Sequence, residues 1–181
     1  MTAETEQKIL DAALKLFSKK GYQSATTMAI AEQAGVSEKT LFRKFKTKRN
    51  LYDEVAVRYI ARLNEDFSHV LTDYKCETPQ DFLKAIINDL TRVCIDNYEI
   101  IHLILEETST TPESALGEWV ELVSGHIKKN IKNDALDYPI FTMTILFFIY
   151  SLVGETYHGR TLFDIDESLE KFINNIILTL T

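Results

Sequence analysis

Apolar side chains recur every three or four residues along almost the whole 181-residue chain. That period is the signature of helices with one buried face, and it leaves little room for strands. Ile9, Ala12, Ala13, Leu16 and Phe17 share one face of a helix from about Glu4 to Lys20, with Gly21 as its stop and Tyr22 and Ala25 folding back on it. Thr26 or Thr27 caps a second helix, which runs through Ile30, Ala31 and Ala34 and ends at Gly35. Ser37 caps a short third helix from Glu38 to about Phe45, and Thr47 caps a fourth from Lys48 to about Thr72. At 1.5 Å per residue the fourth is roughly 37 Å long. Five more follow. Pro79 sits in the first turn of one that carries Phe82, Ile86, Leu90 and Val93. Another covers Tyr98 to Glu107, and the break TSTTPES precedes one from about Glu113 to Lys132. Pro139 opens the most apolar helix, ending near His158-Gly159. Asp164 or Asp166 caps the last, with its stripe of Leu169, Phe172, Ile173, Ile176, Ile177 and Leu180. The fold class is all-α.

Several classes are disfavoured at once. The N-terminal MTAETEQKIL has acids where an export signal carries basic residues before an apolar run, so the cytoplasm is the expected location. The most apolar stretch, Tyr138 to Val153, is interrupted by Pro139, Thr142, Thr144 and Ser151 and falls short of the ~20 residues a membrane span needs. A buried helix, with no membrane partner, is the expectation there. Cys76 and Cys94 have neither disulfide-framework nor metal-ligand spacing. Cys94 fits a core position and Cys76 a loop. No phosphate-binding Gly loop, HExxH, GxSxG or Cys–His cluster suggests an enzyme, and no cofactor or metal site is expected.

Net charge is −7, which argues against nucleic acid until the chain is split. Residues 1–50 carry ten Lys/Arg against five Asp/Glu, giving +5, and the other 131 residues carry −12. A basic head on an acidic body concentrates attraction for a polyanion at one end. The segment Thr27 to Lys46, TMAIAEQAGVSEKTLFRKFK, tells what that head is for. Gly-Val-Ser is a tight joint between two short helices, as a helix-turn-helix requires. On a helical wheel Leu41 and Phe45 point inward, while Lys39 and Arg43 lie almost opposite, flanked by Thr40 and Lys44 on one side and Phe42 on the other. Cations of long reach bond guanine edges, a hydroxyl bonds base or phosphate, and an aromatic touches thymine methyl. Thr27 and Lys48, at helix N-termini, suit phosphates. Glu38 on the same face either reads a cytosine amine or repels the backbone.

From residue 4 to about residue 60 the chain resembles the tetracycline-repressor (TetR) family of transcriptional regulators. The likeness rests on Leu-Phe then Gly-Tyr closing the first helix, Thr-Thr before Ile-Ala, Ala-Gly-Val-Ser at the turn, and Thr-Leu-Phe-x-x-Phe-x-x-Lys after it. The remaining two-thirds offers only a compatible helical pattern. The resemblance implies about nine helices, a head at 1–48, and an effector-binding, dimerising body at 49–181. It further implies a homodimer on a palindromic double-stranded operator and a small-molecule effector that releases a repressor. By position it carries DNA contact onto Thr27, Ser37, Lys39, Thr40, Phe42, Arg43, Lys44 and Lys48. Phe42 stands where the family often has Tyr, so a phenolic bond to phosphate is lost.

The helix from Pro139 and the last helix form either ordinary core or, as the resemblance implies, half of a four-helix interface with a second copy. Tyr98, His102, Glu106, Glu107, Trp119, Tyr150 and Tyr157 are candidate effector contacts in the body, and the acids among them suit a cationic or hydrogen-bonding effector. The competing reading for those aromatics is plain core. His102 and Glu106, four apart, lack the further ligands a metal needs. An enzyme and a DNA-independent helical adaptor are the rival functions.

Overall fold

A computed structural model describes residues 2–71, 74–106, 114–160 and 162–179. Among these the chain forms nine helices and no strand: α1 Ala3–Ser24, α2 Thr27–Gln33, α3 Glu38–Phe45, α4 Lys48–Val70, α5 Pro79–Asp96, α6 Tyr98–Glu106, α7 Ser114–Asn130, α8 Tyr138–Tyr157 and α9 Ile165–Thr179. It divides into two compact units, one comprising Met1–Asn64 and Glu99–Thr110, the other Glu65–Tyr98 and Thr111–Thr181. The sequence-expected ends at Thr72, Glu107 and Glu113, most of the TSTTPES break, and Leu180 lie outside the described residues.

In the first unit α1 buries Ile9, Ala12, Ala13, Leu16 and Phe17, the face its period predicts, and Leu10 and Leu14 beside it. Gly21 does break the helical backbone, with φ 74 and ψ 161, but a further turn follows it to Ser24. Packing explains the extra turn. The Tyr22 ring meets Tyr52 edge-on at 5.1 Å and lies 5.8 Å from Phe17, while the Ala25 N–H returns to the Gly21 carbonyl at 3.2 Å. On α4, Leu51, Tyr52, Val55, Tyr59 and Leu63 recur at helical spacing and are buried. The Tyr59 hydroxyl donates to Asp11 on α1, and burial with that carboxylate pushes the phenol well above its ordinary pKa.

The second unit packs α5 against α8, α9 and α7, and α7 against α8. Its core draws on Phe82, Leu83, Ile86 and Ile87 of α5, Val123 and Ile127 of α7, and Ile145 and Ile149 of α8. Thr78 caps α5 and Asp164 caps α9, the latter accepting the Glu167 N–H at 2.9 Å. Cys94 is buried in α5, where burial pushes its thiol up to about 12, and Cys76 is half-buried before that helix.

One expectation needs correcting. At 20 residues, α8 is long and apolar enough to cross a membrane by length and composition, with a mean hydropathy of 1.5 in its most apolar window. Two of the residues that interrupt its pattern fit the helix, Pro139 in its first turn behind the Asp137 cap and Thr144 by returning its hydroxyl to the Ile140 carbonyl, while the buried Thr142 hydroxyl has no hydrogen-bond partner among the described residues. Nor is it wrapped on several sides. Thr142, Ile145, Ile149, Leu152 and Val153 are buried, whereas Ile140, Met143 and Phe147 are exposed. Packing against α5 and α7 makes it a core helix with one face open.

Candidate nucleic-acid interface

Three local devices build the α2–α3 pair. The Thr26 hydroxyl accepts the Ala29 N–H at 3.2 Å, so Thr26 is the cap and Thr27 opens α2. Gly35, with φ 68, takes the left-handed turn that a side chain resists, and the Val36 N–H closes back on the Ala31 carbonyl at 2.9 Å. The Ser37 hydroxyl then accepts the Thr40 N–H at 3.2 Å and starts α3. Lys46, with φ 66, ends that helix.

Leu41 and Phe45 are 0% and 4% exposed, and they seat α3 with its opposite side in solvent. Lys39, Phe42, Arg43 and Lys44 are all exposed. Among the described residues, the side chains of Lys39 and Arg43 meet no hydrogen-bond or ion-pair partner in the protein. Two unpaired cations four residues apart on a convex helix can donate to an outside acceptor without first breaking a bond.

The other candidates are already engaged. Thr27 Oγ1 donates to Glu38 Oε1 at 2.6 Å, so Glu38 is occupied by α2. The Thr40 and Ser37 hydroxyls lie 3.0 Å apart. Lys48 Nζ donates to the Gln23 carbonyl at 3.2 Å, sits 4.5 Å from the centre of the Tyr22 ring, and has its pKa lowered by burial. Lys44 Nζ is 2.7 Å from Glu6 Oε2 on α1, and the other Glu6 oxygen accepts from Arg58 on α4. Glu6 and Arg58 were not singled out from the sequence. Glu6 precedes Lys44 by 38 positions, and no local pattern announces a pairing across three helices.

The effector candidates fall into two groups. In the second unit Tyr98, 4% exposed, stacks on Tyr150 at 5.4 Å and lies 4.5 Å from the Tyr157 ring, while Trp119, 6% exposed, stacks on Phe67 at 5.4 Å. His102 and Glu106 belong to the first unit, half-buried and exposed respectively, and Glu107 is outside the described residues. Two grooves of the second unit have other linings. One of about 410 Å³ runs between α8 and α9 past Phe148, Leu152, Phe163 and Phe172, and one of about 240 Å³ lies between α5 and α9. Among the described residues no three His, Cys, Asp or Glu side chains gather as a metal site needs.

Two short helices joined through a left-handed glycine, the second held by two apolar anchors with its cations outward, define a helix-turn-helix module. Residues 9–55 match the family described as bacterial regulatory proteins, tetR family. Over that head the chain is similar to the tetR family. The HTH-type transcriptional regulator YvkB of Bacillus subtilis is 55% identical over 49 residues, 27% of this chain and 26% of that protein. The class D tetracycline repressor of Escherichia coli is 35% identical over 68 residues, 38% of this chain and 31% of that protein. The first three curated relatives are matched over 26%, 46% and 54% of their own lengths, about half at most. The fold likeness extends much further. A TetR-like transcriptional regulator from Rhodococcus sp. RHA1 superposes with a TM-score of 0.69, covering 96% of this chain and 93% of that one at 18% identity.

Proposed function

We propose that this chain is a sequence-specific DNA-binding transcriptional regulator, a repressor that leaves its operator when a small-molecule effector binds. The observation that carries the reading is the exposed face of α3, where Lys39 and Arg43 stand unpaired opposite the buried Leu41 and Phe45. Residues 1–48 act as the head and 49–181 as the effector-binding and dimerising body. Thr27, Ser37, Lys44 and Lys48 fix its register on the phosphates, while Lys39, Thr40, Phe42 and Arg43 face the bases. The charge division, +5 over residues 1–50 and −12 over the rest, supports docking by the head.

The body works as a cytoplasmic homodimer, which lets two heads read a palindrome one helical turn apart. Tyr98, Trp119, Tyr150 and Tyr157, with His102 and Glu106, are the effector-responsive side chains. α4 is one uninterrupted helix with residues in both units, so an effector that favours one packing of the body biases the head through it. The chain regulates rather than catalyses.

The test is a gel shift with duplex DNA from upstream of the protein's own gene, at two salt concentrations. Binding must weaken steeply as salt rises, because phosphate contacts release counterions. Arg43→Ala should reduce discrimination between that DNA and a random duplex, and Lys48→Ala should weaken binding to both. An Arg43→Ala protein with unchanged sequence preference overturns the assignment of the reading face.

A further inference from the structure

The first-turn carboxylate of α1 is wired into the helix that faces DNA. Glu6 Oε2 accepts from Lys44 Nζ of α3 at 2.7 Å, and Glu6 Oε1 accepts from Arg58 of α4. Arg58 turns its Nε to Glu54 one turn back along α4, at 2.8 Å. The Glu6 side chain is 14% exposed and that of Lys44 is 46% exposed, so the pair is partly withdrawn from solvent, where ion pairs are screened less. The Lys44 hydrogen bond is the main influence holding the Glu6 carboxyl below the usual carboxylate range, with Arg58 adding to it against partial burial. At the other end of α3, Glu38 accepts from Thr27 at 2.6 Å. The helix is therefore tied at both ends through charged side chains, while the two cations between the ties, Lys39 and Arg43, are free among the described residues.

We propose that Glu6 is a positioning residue for DNA recognition: it keeps Lys44 off the phosphates and uses it, with Arg58, to hold the C-terminal end of α3. This inference rests on the DNA-binding reading above and alters it at one residue, taking Lys44 out of the contact set. Removing a lysine that touches phosphate lowers the number of counterions released. Removing a lysine that is already neutralised by a carboxylate does not, so the salt dependence of binding separates the two roles.

The experiment uses the full chain and the duplex it selects from a random-sequence pool, with affinities measured from about 50 to 300 mM salt. Lys44→Ala should leave the slope of log affinity against log salt unchanged, and should lower the operator-over-random ratio by at most about fivefold, the value of one ion pair. Glu6→Gln should steepen the slope by about 0.9, because the freed lysine gains a phosphate. Glu54→Gln removes a like charge from the same network without freeing Lys44, and should leave the slope alone. The double variant Glu6→Gln/Lys44→Ala should return to the wild-type slope. A loose or misfolded head cannot produce that return, and circular dichroism on each variant checks that helix content is kept. A slope that flattens by about 0.9 in Lys44→Ala, or one that stays steep in the double variant, overturns the proposal. A wild-type protein that binds no duplex at the lowest salt overturns the DNA reading itself. A wild type that binds while the variants break the pattern overturns only the role of Glu6.

Discussion

Gly154 sits in α8 where a Cβ would come within 2.6 Å of the Tyr98 hydroxyl and 3.3 Å of its ring carbon. The ring has little freedom to yield, because it is buried, stacked on Tyr150 at 5.4 Å and flanked by Tyr157 at 4.5 Å. Two effects oppose each other in Gly154→Ala. Alanine in a helix gains about 1 kcal/mol over glycine, while one extra methyl forced into a packed core costs about 1–3 kcal/mol. With the tyrosine pinned the second should win, and the variant should lose roughly 1 kcal/mol by urea unfolding. Tyr98→Phe removes the atom in closest approach. In that background Gly154→Ala should be neutral or stabilising, so the double-mutant cycle should show coupling of the order of 1 kcal/mol. Additive losses would mean the ring moves aside freely. The same packing bears on Tyr98 and Trp119 as effector contacts: Tyr98 is buried among aromatic rings and Trp119 is buried with one face stacked on Phe67, so an effector reaches either only by displacing a neighbour.

Helix α3 is held by local and distant contacts, and acid should separate them. The Ser37 cap, Leu41 and Phe45 do not titrate, whereas the Glu6 tie does. A carboxyl whose folded pKa is depressed stabilises the fold above its unfolded pKa of about 4.3, and that contribution fades as pH falls through the folded value. Between about pH 5 and 3 the melting temperature of the wild type should therefore drop more than that of Glu6→Gln, and the two curves should run parallel above pH 6. Parallel curves throughout would mean that the ion pair adds nothing to stability. This contrast also marks what the sequence discloses. The bounds of α3, its cap and its two anchors are legible because each depends on residues within a turn or two. So are the unpaired cations Lys39 and Arg43, which lie opposite the anchors on the wheel. The ties from Glu6 to Lys44 and from Thr27 to Glu38 are not, since they form only once three helices have packed. Glu38, ambiguous as a free acid on a DNA-facing helix, proves to be occupied by a hydroxyl. The open face of α8 was hidden for the opposite reason: its apolar residues encircle the helix, so periodicity cannot tell which side a neighbour covers.

Ile140, Met143 and Phe147 are 64%, 40% and 41% exposed, one helical row on α8 left largely in solvent among the described residues. Beside the row, Phe148 stacks on Phe172 of α9 at 3.8 Å and lines the groove of about 410 Å³, with Phe163 62% exposed at its edge. Leaving three large apolar side chains half in water forgoes about 25 cal/mol for each Å² that could be covered. In the dimer proposed above a second copy covers them, since a two-fold interface sets the same apolar patch against itself. A buried aspartate there would face its own symmetry mate with no cation to neutralise it, and uncompensated charge of that kind costs several kcal/mol. Phe147→Asp should therefore halve the mass measured by sedimentation. It should leave helix content intact, because the Phe147 side chain is partly in solvent already and not among the buried residues of α8. Its effect on DNA follows from the arithmetic of two heads. A dimer binds its second half-site at high effective concentration, and a monomer loses that gain while keeping each head's attraction for phosphates. Affinity for the palindrome should fall by about a hundredfold or more, and affinity for random duplex should change much less. A Phe147→Asp protein that still sediments with the wild type would show that this row is not the interface. One that sediments as a monomer yet holds the palindrome at wild-type strength would show that a single head suffices.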